Sequence, residues 1–299
     1  MPTTTLTAGH DSFSVSDTNR VVYGLDGNDR IDGNGYNNTI YYGGQGNDTL
    51  YNNFTTGYGD FYGGSGNDWL FSNASSSADD MYGGEGNDII EKVGSGGATM
   101  EGGSGSDAIY GADGNDRIFG GDGNDTNTVN VTAGAPYATF QKTIAGGLYG
   151  GAGDDYIDGG PGNDYVSGGS GNDLLYGGSG NDTLVGDTGI DKLWGGDGAD
   201  NFLFNVTVGK ANHDHIKDFE RGADKILLDS AIFGSIGAKL GKKEFVVGKK
   251  AKDGNDYIIY NKKKGKIFYD EDGKGGAGKE LFAKVDKGMK LSHDDFLIV

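Results

Sequence analysis

A nine-residue repeat runs through the first two thirds of the chain. Its pattern is G-G-x-G-x-D-x-U-x, in which U is a large apolar residue, as in GGQGNDTLY at residue 43 and GGSGNDLLY at residue 168. Near-copies begin at residues 24, 43, 63, 83, 102, 111, 120, 150, 159, 168, 177, 186 and 195. Self-similarity at a fixed short period is typical of stacked repeat architectures, so this feature constrains the fold more than any other.

Each part of the repeat has a conformational role. Glycine at the first, second and fourth places permits positive φ and close approach of the backbone, so the first six residues make a tight turn. The last three residues alternate outward, inward and outward as a short strand. The inward apolar residues are Ile31, Leu50, Leu70, Ile90, Ile109, Ile157, Leu175 and Leu193. One such residue buries little, but stacked repeats line them into a continuous core, so the pattern predicts a solenoid of turns and short parallel strands.

An aspartate stands at the sixth place of every copy, and stacking brings these carboxylates close together. The chain has 25 basic and 44 acidic residues and a net charge of −19, and residues 1–201 alone carry −23. Rows of carboxylates repel one another unless a divalent cation lies between them, and turn carbonyls can complete the roughly six to eight oxygen ligands that calcium prefers. The alternative is that each aspartate only caps its own turn. So many copies in so acidic a segment favour calcium.

These motifs identify a resemblance: over residues 24–203 the chain resembles the RTX, or haemolysin-type calcium-binding repeat, family. The resemblance implies an all-β fold, a right-handed parallel β-roll in which two nonapeptides make one coil and calcium is held between turns of the same edge. It implies aspartate ligands at Asp29, Asp48, Asp68, Asp88, Asp107, Asp116, Asp125, Asp155, Asp164, Asp173, Asp182, Asp191 and Asp200. It also implies backbone carbonyl ligands at Gly44, Gly46, Gly64, Gly66, Gly84, Gly86, Gly169, Gly171, Gly178 and Gly180. We expect about ten calcium ions in all.

Because two nonapeptides make one coil in that family, the resemblance also implies which aspartates share an edge. One edge is expected to hold Asp29, Asp48, Asp68, Asp88, Asp107, Asp125, Asp155, Asp173 and Asp191. The other edge is expected to hold Asp116, Asp164, Asp182 and Asp200.

The repeat is interrupted in several places. The segment GNGYNNTIY at residue 33 has Asn38 in place of the aspartate, and segments of ten or eleven residues without the turn follow the copies at 43, 63 and 83. Their ends supply Phe61, Met81 and Met100 as strand residues. We therefore expect the early coils to carry calcium on one edge only, with looser loops on the other. A longer interruption near residues 126–149 is expected to be an excursion loop or an added hairpin.

The composition changes near residue 203, since residues 202–299 carry a net charge of +4 and no repeat. We expect residues 1–23 to be a lead-in or cap, 24–203 the roll, and 204–299 a small β-rich domain. Within that domain, DHIKDF and GADKILL resemble motifs of the carboxy-terminal domain that follows RTX repeats in type I secreted bacterial proteins.

The end of the chain also resembles part of that export route. Asp294 and Asp295 precede the four apolar residues FLIV, as in the terminal export signal. The alternative is an amphipathic strand that closes a sheet. The first residues lack the basic and apolar segments of an amino-terminal signal peptide, and no stretch reaches the roughly 18 apolar residues of a membrane span. The resemblance thus implies a secreted protein, exported by the type I machinery, that folds when it meets calcium outside the cell.

Several other functions are disfavoured by the composition. The absence of cysteine excludes disulfides, cysteine-ligated metals and thiol nucleophiles, and the acidic charge argues against a nucleic acid partner. Neither H-E-x-x-H nor G-x-S-x-G occurs, so the metalloprotease and lipase signatures are missing. Gly273 to Lys279 satisfies G-x-x-x-x-G-K, but Glu280 follows where a phosphate-binding loop has Ser or Thr.

Two short segments of the carboxy-terminal region leave a metal site open. His213 and His215 flank Asp214 and could bind a metal, although surface histidines in a turn are the simpler interpretation. Asp270, Asp272 and Gly273 suggest a calcium turn but do not have EF-hand spacing.

We therefore expect a non-enzymatic, secreted calcium-binding protein in which the ions are structural. An alternative is a module that binds extracellular polysaccharide or a cell surface, similar to the repeat modules of alginate epimerases. The outward aromatic residues at the ninth place could stack on sugar rings, or could pack over neighbouring turns; they include Tyr51, Phe71, Tyr110, Tyr176 and Trp194. A third hypothesis is an enzyme of unfamiliar type, with a groove formed by loops 52–62 and 72–82.

Overall fold

The structure is a computed structural model of the chain. It describes residues 1–33, 38–53, 58–74, 79–111, 115–125, 129–135, 138–144, 147–274 and 278–299, with the backbone alone described for 129–135 and 138–144. Parts of the loops expected at 52–62 and 72–82 therefore lie outside the described residues. The chain divides into two compact units, Met1–Tyr165 and Val166–Val299. The boundary that composition places near residue 203 stays a prediction.

The amino-terminal unit is a parallel β-roll built from two sheets. Sheet A contains, in spatial order, β1 (Thr3–Thr5), β3 (Val21–Asp26), β5 (Thr39–Gln45), β7 (Gly59–Ser65), β9 (Asp80–Glu85), β11 (Thr99–Ser104), β13 (Arg117–Asp122) and β17 (Tyr156–Pro161). Sheet B contains β2 (Ser12–Ser14), β4 (Arg30–Asp32), β6 (Thr49–Asn52), β8 (Trp69–Ser72), β10 (Ile89–Lys92), β12 (Ala108–Tyr110) and β16 (Gly147–Ala152). The chain alternates between the sheets, so each coil contributes one strand to each.

The core of this unit lies between the two sheets and follows the predicted alternation. Ile31, Leu50, Leu70, Ile90 and Ile109 are fully buried in sheet B. Their counterparts in sheet A are also fully buried, namely Val22, Tyr41, Phe61, Met81, Met100, Ile118 and Ile157. Because each coil buries only about two large side chains, no coil is stable alone, and stability depends on the stack.

The turns require glycine because of their backbone conformation. Gly44 and Gly46 have φ of 119° and 123°, a region that side chains rarely adopt. The neighbouring turn also leaves no room there, since a Cβ on either residue would lie closer than 3.0 Å to a carbonyl oxygen of Leu25 or Gly27. Tight stacking of successive turns therefore fixes the glycine positions of the repeat.

The interruption near residues 126–149 contains an antiparallel hairpin. Strand β14 (Val129–Ala135) pairs with β15 (Ala138–Ile144), and β14 contacts β4 of sheet B. Of the two expectations, the added hairpin is the one found. Pro136 and Tyr137 lie outside the described residues.

The carboxy-terminal unit begins with short parallel strands and ends in a mixed sheet. Strand β18 (Tyr165–Gly171) spans the division between the units. One sheet then contains, in spatial order, β19 (Leu174–Ser179), β21 (Lys192–Asp197), β23 (Asp214–Ile216), β28 (Glu280–Lys284), β27 (Lys266–Tyr269), β26 (Ile258–Asn261) and β25 (Phe245–Val247). The other contains β20 (Thr183–Gly189), β22 (Asn201–Phe204), β24 (Lys225–Leu228) and β29 (Phe296–Ile298).

The end of the chain forms part of this second sheet. A short 3₁₀ turn over His293–Asp295 leads into β29, which pairs parallel to β24 with Phe296 buried and Leu297 exposed. The terminal residues therefore form the amphipathic strand that was one of the two expectations, and an export role for the same residues stays a prediction. Among the residues that the structure describes, no helix is long and apolar enough to cross a membrane.

Candidate metal sites

The aspartates of the repeat line up along the turns. In the amino-terminal unit we call the turns that lead from sheet A to sheet B the first edge, and those that lead from sheet B to sheet A the second edge. Along the first edge each aspartate accepts, through Oδ1, the backbone N–H of the aspartate one coil earlier. The N–O distance is 2.7 Å for each of the pairs Asp29 to Asp48, Asp48 to Asp68 and Asp68 to Asp88. The ladder holds each carboxylate in the same orientation.

The ladder continues through the rest of the first edge. The backbone N–H of Asp88 donates to Oδ1 of Asp107 at 2.8 Å. The N–H of Asp107 donates to Oδ1 of Asp125 at 2.7 Å, and that of Asp125 to Oδ1 of Asp164 at 2.9 Å. A second ladder, formed by the asparagines at the fifth place, runs in the opposite direction, since Asn47 and Asn67 each donate their N–H to the preceding asparagine Oδ1 at 2.8 Å. The two ladders fix the vertical spacing of the turns.

The second carboxylate oxygen of these aspartates is buried and has no hydrogen-bond partner. This holds for Oδ2 of Asp29, Asp48, Asp68, Asp88, Asp107, Asp125, Asp191 and Asp200. A buried carboxylate oxygen without a donor is costly, and native structures rarely leave one so. Its repetition at the same place in successive turns gives a set of oxygen atoms that suits a cation.

Burial makes these carboxylates hard to ionise while they lack a cation. Loss of solvent raises the pKa of Asp48 to about 8, with the neighbouring charges of Asp68 and Asp29 adding to the effect. Burial likewise raises the pKa of Asp68 to about 7 and that of Asp88 to about 9. A positive charge near Oδ2 would reverse these shifts.

The free oxygen faces a small space that only glycine leaves open. A Cβ on Gly83 would lie closer than 3.0 Å to Oδ2 of Asp88 and to the carbonyl oxygen of Gly102 in the next turn. The same arrangement recurs at Gly43, where Asp48 Oδ2 and the Gly63 carbonyl are the neighbours. Carboxylate and carbonyl oxygens thus converge in the gap between turns, which suits a hard cation. The carbonyls of the glycine at the first place of the repeat, such as Gly63 and Gly102, were not among the predicted ligands. The turn nevertheless places them beside the aspartate of the preceding turn.

The predicted carbonyl ligands mostly face the gap between turns as well. Nine of the ten carbonyl oxygens lie next to the glycine at the same place in the following turn. They belong to Gly44, Gly46, Gly64, Gly66, Gly84, Gly86, Gly171, Gly178 and Gly180. Gly169 differs, because its carbonyl accepts a hydrogen bond from the Thr188 hydroxyl at 3.4 Å.

The rows end at aspartates whose Oδ2 accepts a hydrogen bond from within the protein. Asp11 begins the first edge: its N–H donates to Asp29, and its Oδ2 accepts the N–H of Thr7 at 2.6 Å. In the carboxy-terminal unit Asp200 donates to Oδ1 of Asp224 at 3.0 Å, and Asp224 Oδ2 accepts the N–H of Glu220 at 2.6 Å. We therefore interpret Asp11 and Asp224, whose Oδ2 has a protein donor, as turn caps. They differ in this respect from the aspartates whose Oδ2 has no hydrogen-bond partner.

The second edge corrects the assignment made by counting coils. There Ala98 donates its N–H to Asp116 Oδ1, and Asp116 donates to Asp155 Oδ1, both at 2.7 Å. Asp155 therefore lies with Asp116 and not with Asp125, and Asp164 lies on the first edge with Asp125. The reason is the hairpin: an antiparallel hairpin returns the chain to the side where it started, so it adds no half coil.

The carboxy-terminal unit contains two further rows. Asp182 donates its N–H to Asp200 Oδ1 at 2.9 Å, and Asp173 donates to Asp191 at 2.8 Å. Asp191 in turn donates to Asp214 at 3.2 Å. Burial raises the pKa of Asp191 to about 8, and the charge of Asp214 adds to this.

Sequence reasoning missed four members of the rows, namely Asp11 at the start of the first edge and three aspartates further along the chain. Asp79, Asp214 and Asp224 occupy row positions although no glycine-rich turn precedes them. Each is followed two residues later by a buried apolar strand residue, which is the D-x-U part of the repeat, so a search for that half of the motif finds them.

The two other metal candidates gain no support from their surroundings. Among the described residues, no place brings three or more His, Cys, Asp or Glu side chains together. His213 Nε2 lies 2.6 Å from Lys284 Nζ, and His215 Nδ1 lies 3.4 Å from Lys217 Nζ, so each histidine has a lysine where a metal would bind. In the second candidate, Asp272 Oδ1 accepts the N–H of Lys274. Because no three such side chains meet among the described residues, an ion in the rows also needs backbone carbonyls as ligands.

The outward aromatic residues stack on one another. Tyr51 and Phe71 have ring centroids 4.7 Å apart, and Tyr176 and Trp194 are 4.5 Å apart with an angle of 9° between the planes. Lys217 Nζ lies 5.9 Å from the centroid of the Trp194 ring. The ring faces that a sugar would need are therefore engaged in contacts between neighbouring strands.

The solved structures to which this chain is similar include two of modest similarity. The AlgE6R3 subunit of the Azotobacter vinelandii mannuronan C5-epimerase, determined in solution, is 27% identical, with 56% of this chain and 83% of that chain covered and a TM-score of 0.34. The extracellular lipase LipA from Serratia marcescens is 19% identical, with 82% of this chain and 40% of the lipase covered and a TM-score of 0.33. The chain thus spans less than half of the lipase. A comparison with curated proteins gives no match.

The model of the RTX calcium-binding nonapeptide repeat matches residues 23–54, 60–90, 93–126, 148–175 and 176–205, which together make up slightly more than half of the chain. These segments contain the glycine-rich turns and the aspartate rows described above. The chain belongs to the family of RTX calcium-binding repeat proteins.

Proposed function

We propose that this protein is a secreted, non-enzymatic calcium-binding protein whose calcium ions are part of its fold. The observation that carries the proposal is the repeated buried Oδ2 without a hydrogen-bond partner, at Asp29, Asp48, Asp68, Asp88, Asp107, Asp125, Asp191 and Asp200. Calcium is positively charged and prefers oxygen ligands. The rows supply carboxylate oxygens, and the turns supply carbonyl oxygens beside them.

The ligands of this proposal are the aspartates of the repeat and the carbonyls of the glycine-rich turns. They are Asp29, Asp48, Asp68, Asp88, Asp107, Asp116, Asp125, Asp155, Asp164, Asp173, Asp182, Asp191 and Asp200. About ten ions fit between successive aspartates of the rows. Because a preformed site does not exist in the unfolded chain, the free energy of calcium binding is free energy of folding.

Secretion completes the proposal. A chain with strong carboxylate repulsion and little apolar core per coil stays unfolded where free calcium is scarce, which suits passage through an export machine. Outside the cell, calcium at about millimolar concentration suffices for sites of the affinity common in extracellular modules. The motifs DHIKDF and GADKILL and the terminal acidic and apolar residues support export by the type I route.

One turn offers a matched pair of variants to test the ligands. Asp122 and Asp125 lie three residues apart, with Asp122 exposed and Asp125 buried with a free Oδ2. We expect Asp125→Asn to lower the number of calcium ions bound at saturation, measured by isothermal titration and by metal analysis, and to raise the calcium concentration at the midpoint of folding. Asp122→Asn should behave as the unchanged protein does. Equal calcium binding by both variants and the unchanged protein would refute the assignment of Asp125.

A further inference from the structure

The second edge of the early coils contains an aspartate outside any glycine-rich turn. Strands β7, β9, β11 and β13 pair in register, which aligns Asp79 with Ala98 and Asp116. The N–H of Gly59 donates to Asp79 Oδ1 at 3.0 Å, as the N–H of Ala98 donates to Asp116 Oδ1. Asp79 therefore occupies a row position by both register and hydrogen bonding.

The other oxygen of Asp79 has partners of the kind that Oδ2 of Asp48, Asp68 and Asp88 lacks. Its Oδ2 lies 3.4 Å from Lys92 Nζ and accepts the Ser72 hydroxyl at 2.6 Å. The side chains of Asp79 and Lys92 are both 0% exposed. Lys92 Nζ also donates to the carbonyl oxygen of Ala74. An ammonium group, a carboxylate, a hydroxyl and a carbonyl thus meet inside the second edge.

The position of Lys92 explains how the ammonium reaches this place. Lys92 ends β10, directly across from Ser72 at the end of β8, so its side chain points between the sheets where the chain turns toward the second edge. A buried lysine is costly unless it is paired and hydrogen-bonded, and here both conditions are met by groups of the adjacent coil. The charge pair therefore has a defined geometry inside the roll.

We propose that the ammonium group of Lys92 takes, at Asp79, the place that calcium takes at the other row positions. The chain itself neutralises Asp79, so this coil closes its second edge without metal. Calcium dependence on the second edge then begins at Asp116. The inference rests on the proposed function, because it assigns Lys92 the part played elsewhere by a bound ion.

Calcium stoichiometry tests the substitution directly. In full-length protein saturated with calcium, Asp79→Asn should bind as many ions as the unchanged protein, whereas Asp116→Asn, on the same edge, should bind fewer. Loss of an ion in Asp79→Asn would overturn the inference while leaving the proposed function intact. Loss of none in Asp116→Asn would count against the proposed function, and the inference would fall with it.

Thermal unfolding in saturating calcium tests whether the pair is the stabilising unit. Removal of one partner leaves a buried charge, so Lys92→Met should lower the melting temperature by about 10 °C. The double variant Asp79→Asn with Lys92→Met should regain most of the loss, since neither charge remains. If Lys92→Met does not fold, the melting temperature of the double variant is compared with that of the unchanged protein. An unchanged melting temperature in Lys92→Met, or a double variant as unstable as the single one, would overturn the inference.

Discussion

At the scale of single residues, the turn that carries each repeat aspartate sets the burial and orientation of its carboxylate. The aspartates of the repeat are buried in rows, as the spacing indicated, because position six ends the tight turn and points back into it. Asp79 and Lys92 could not be predicted, since the segment SNASSSADDMY has no glycine-rich turn and Lys92 lies further along the chain, at the end of β10. Their pairing depends on how two coils stack, which no local pattern encodes.

The first glycine of each turn provides a prediction at this scale. Gly83 does not have positive φ, so alanine is allowed by the backbone, but its Cβ would crowd Asp88 Oδ2 and the Gly102 carbonyl. We expect Gly83→Ala to lower the free energy of unfolding in calcium by about 1–3 kcal/mol and to weaken calcium binding. Gly209→Ala is the control, because nothing lies within 4 Å of its Cβ position. Denaturant unfolding in calcium measures both, and equal stability of the two variants would contradict the assignment of the space beside Gly83.

At the scale of strands, the alternation of inward and outward residues was predicted, and the assignment of turns to edges after residue 125 was wrong in part. The alternation follows from local chemistry, since one apolar residue per repeat must face the core. The edge of a turn depends on how many half coils precede it. Because the 126–149 segment forms a hairpin, it contributes none, and sequence length alone could not distinguish this from a looser half coil.

The outer face of sheet A contains a ladder of tyrosines that sequence reasoning did not single out. Tyr23, Tyr42, Tyr62 and Tyr82 stack across β3, β5, β7 and β9, with ring centroids 4.8 to 5.0 Å apart. We expect Tyr62→Ala, which removes two stacking contacts, to cost more stability than Tyr23→Ala, which removes one. The difference should be about 0.5–1.5 kcal/mol. Denaturant unfolding in calcium checks this, and equal losses would show that stacking contributes little.

At the scale of the whole molecule, charge decides the folding conditions. The −19 of the sequence describes the calcium-free chain, and about ten ions would add roughly +20, so the loaded protein is expected to be near neutral. Composition predicted this dependence on cations, and the buried free oxygens of the rows give it a structural basis.

The raised pKa values predict opposite effects of pH with and without calcium. The folded state raises the pKa of Asp48 to about 8 and of Asp88 to about 9, from an ordinary value of 3.8. The calcium-free folded state therefore holds protons that the unfolded chain releases, and its stability falls as pH rises from about 4 to about 9. Calcium needs the ionised carboxylates, so its affinity should rise over the same range. Circular dichroism of the chelated protein between these limits tests the first statement, and calcium titrations test the second. A chelated protein that keeps full β content from about pH 4 to about pH 9 would contradict burial of these carboxylates without a cation.

The central claim is that calcium binding and folding are one event. Circular dichroism of the full chain in chelator at neutral pH, followed by addition of calcium to millimolar concentration, tests it most directly. We expect a spectrum of unfolded chain in chelator and a cooperative appearance of β structure as calcium is added. A chelated protein that already shows its full β content, and gains none with calcium, would contradict the account.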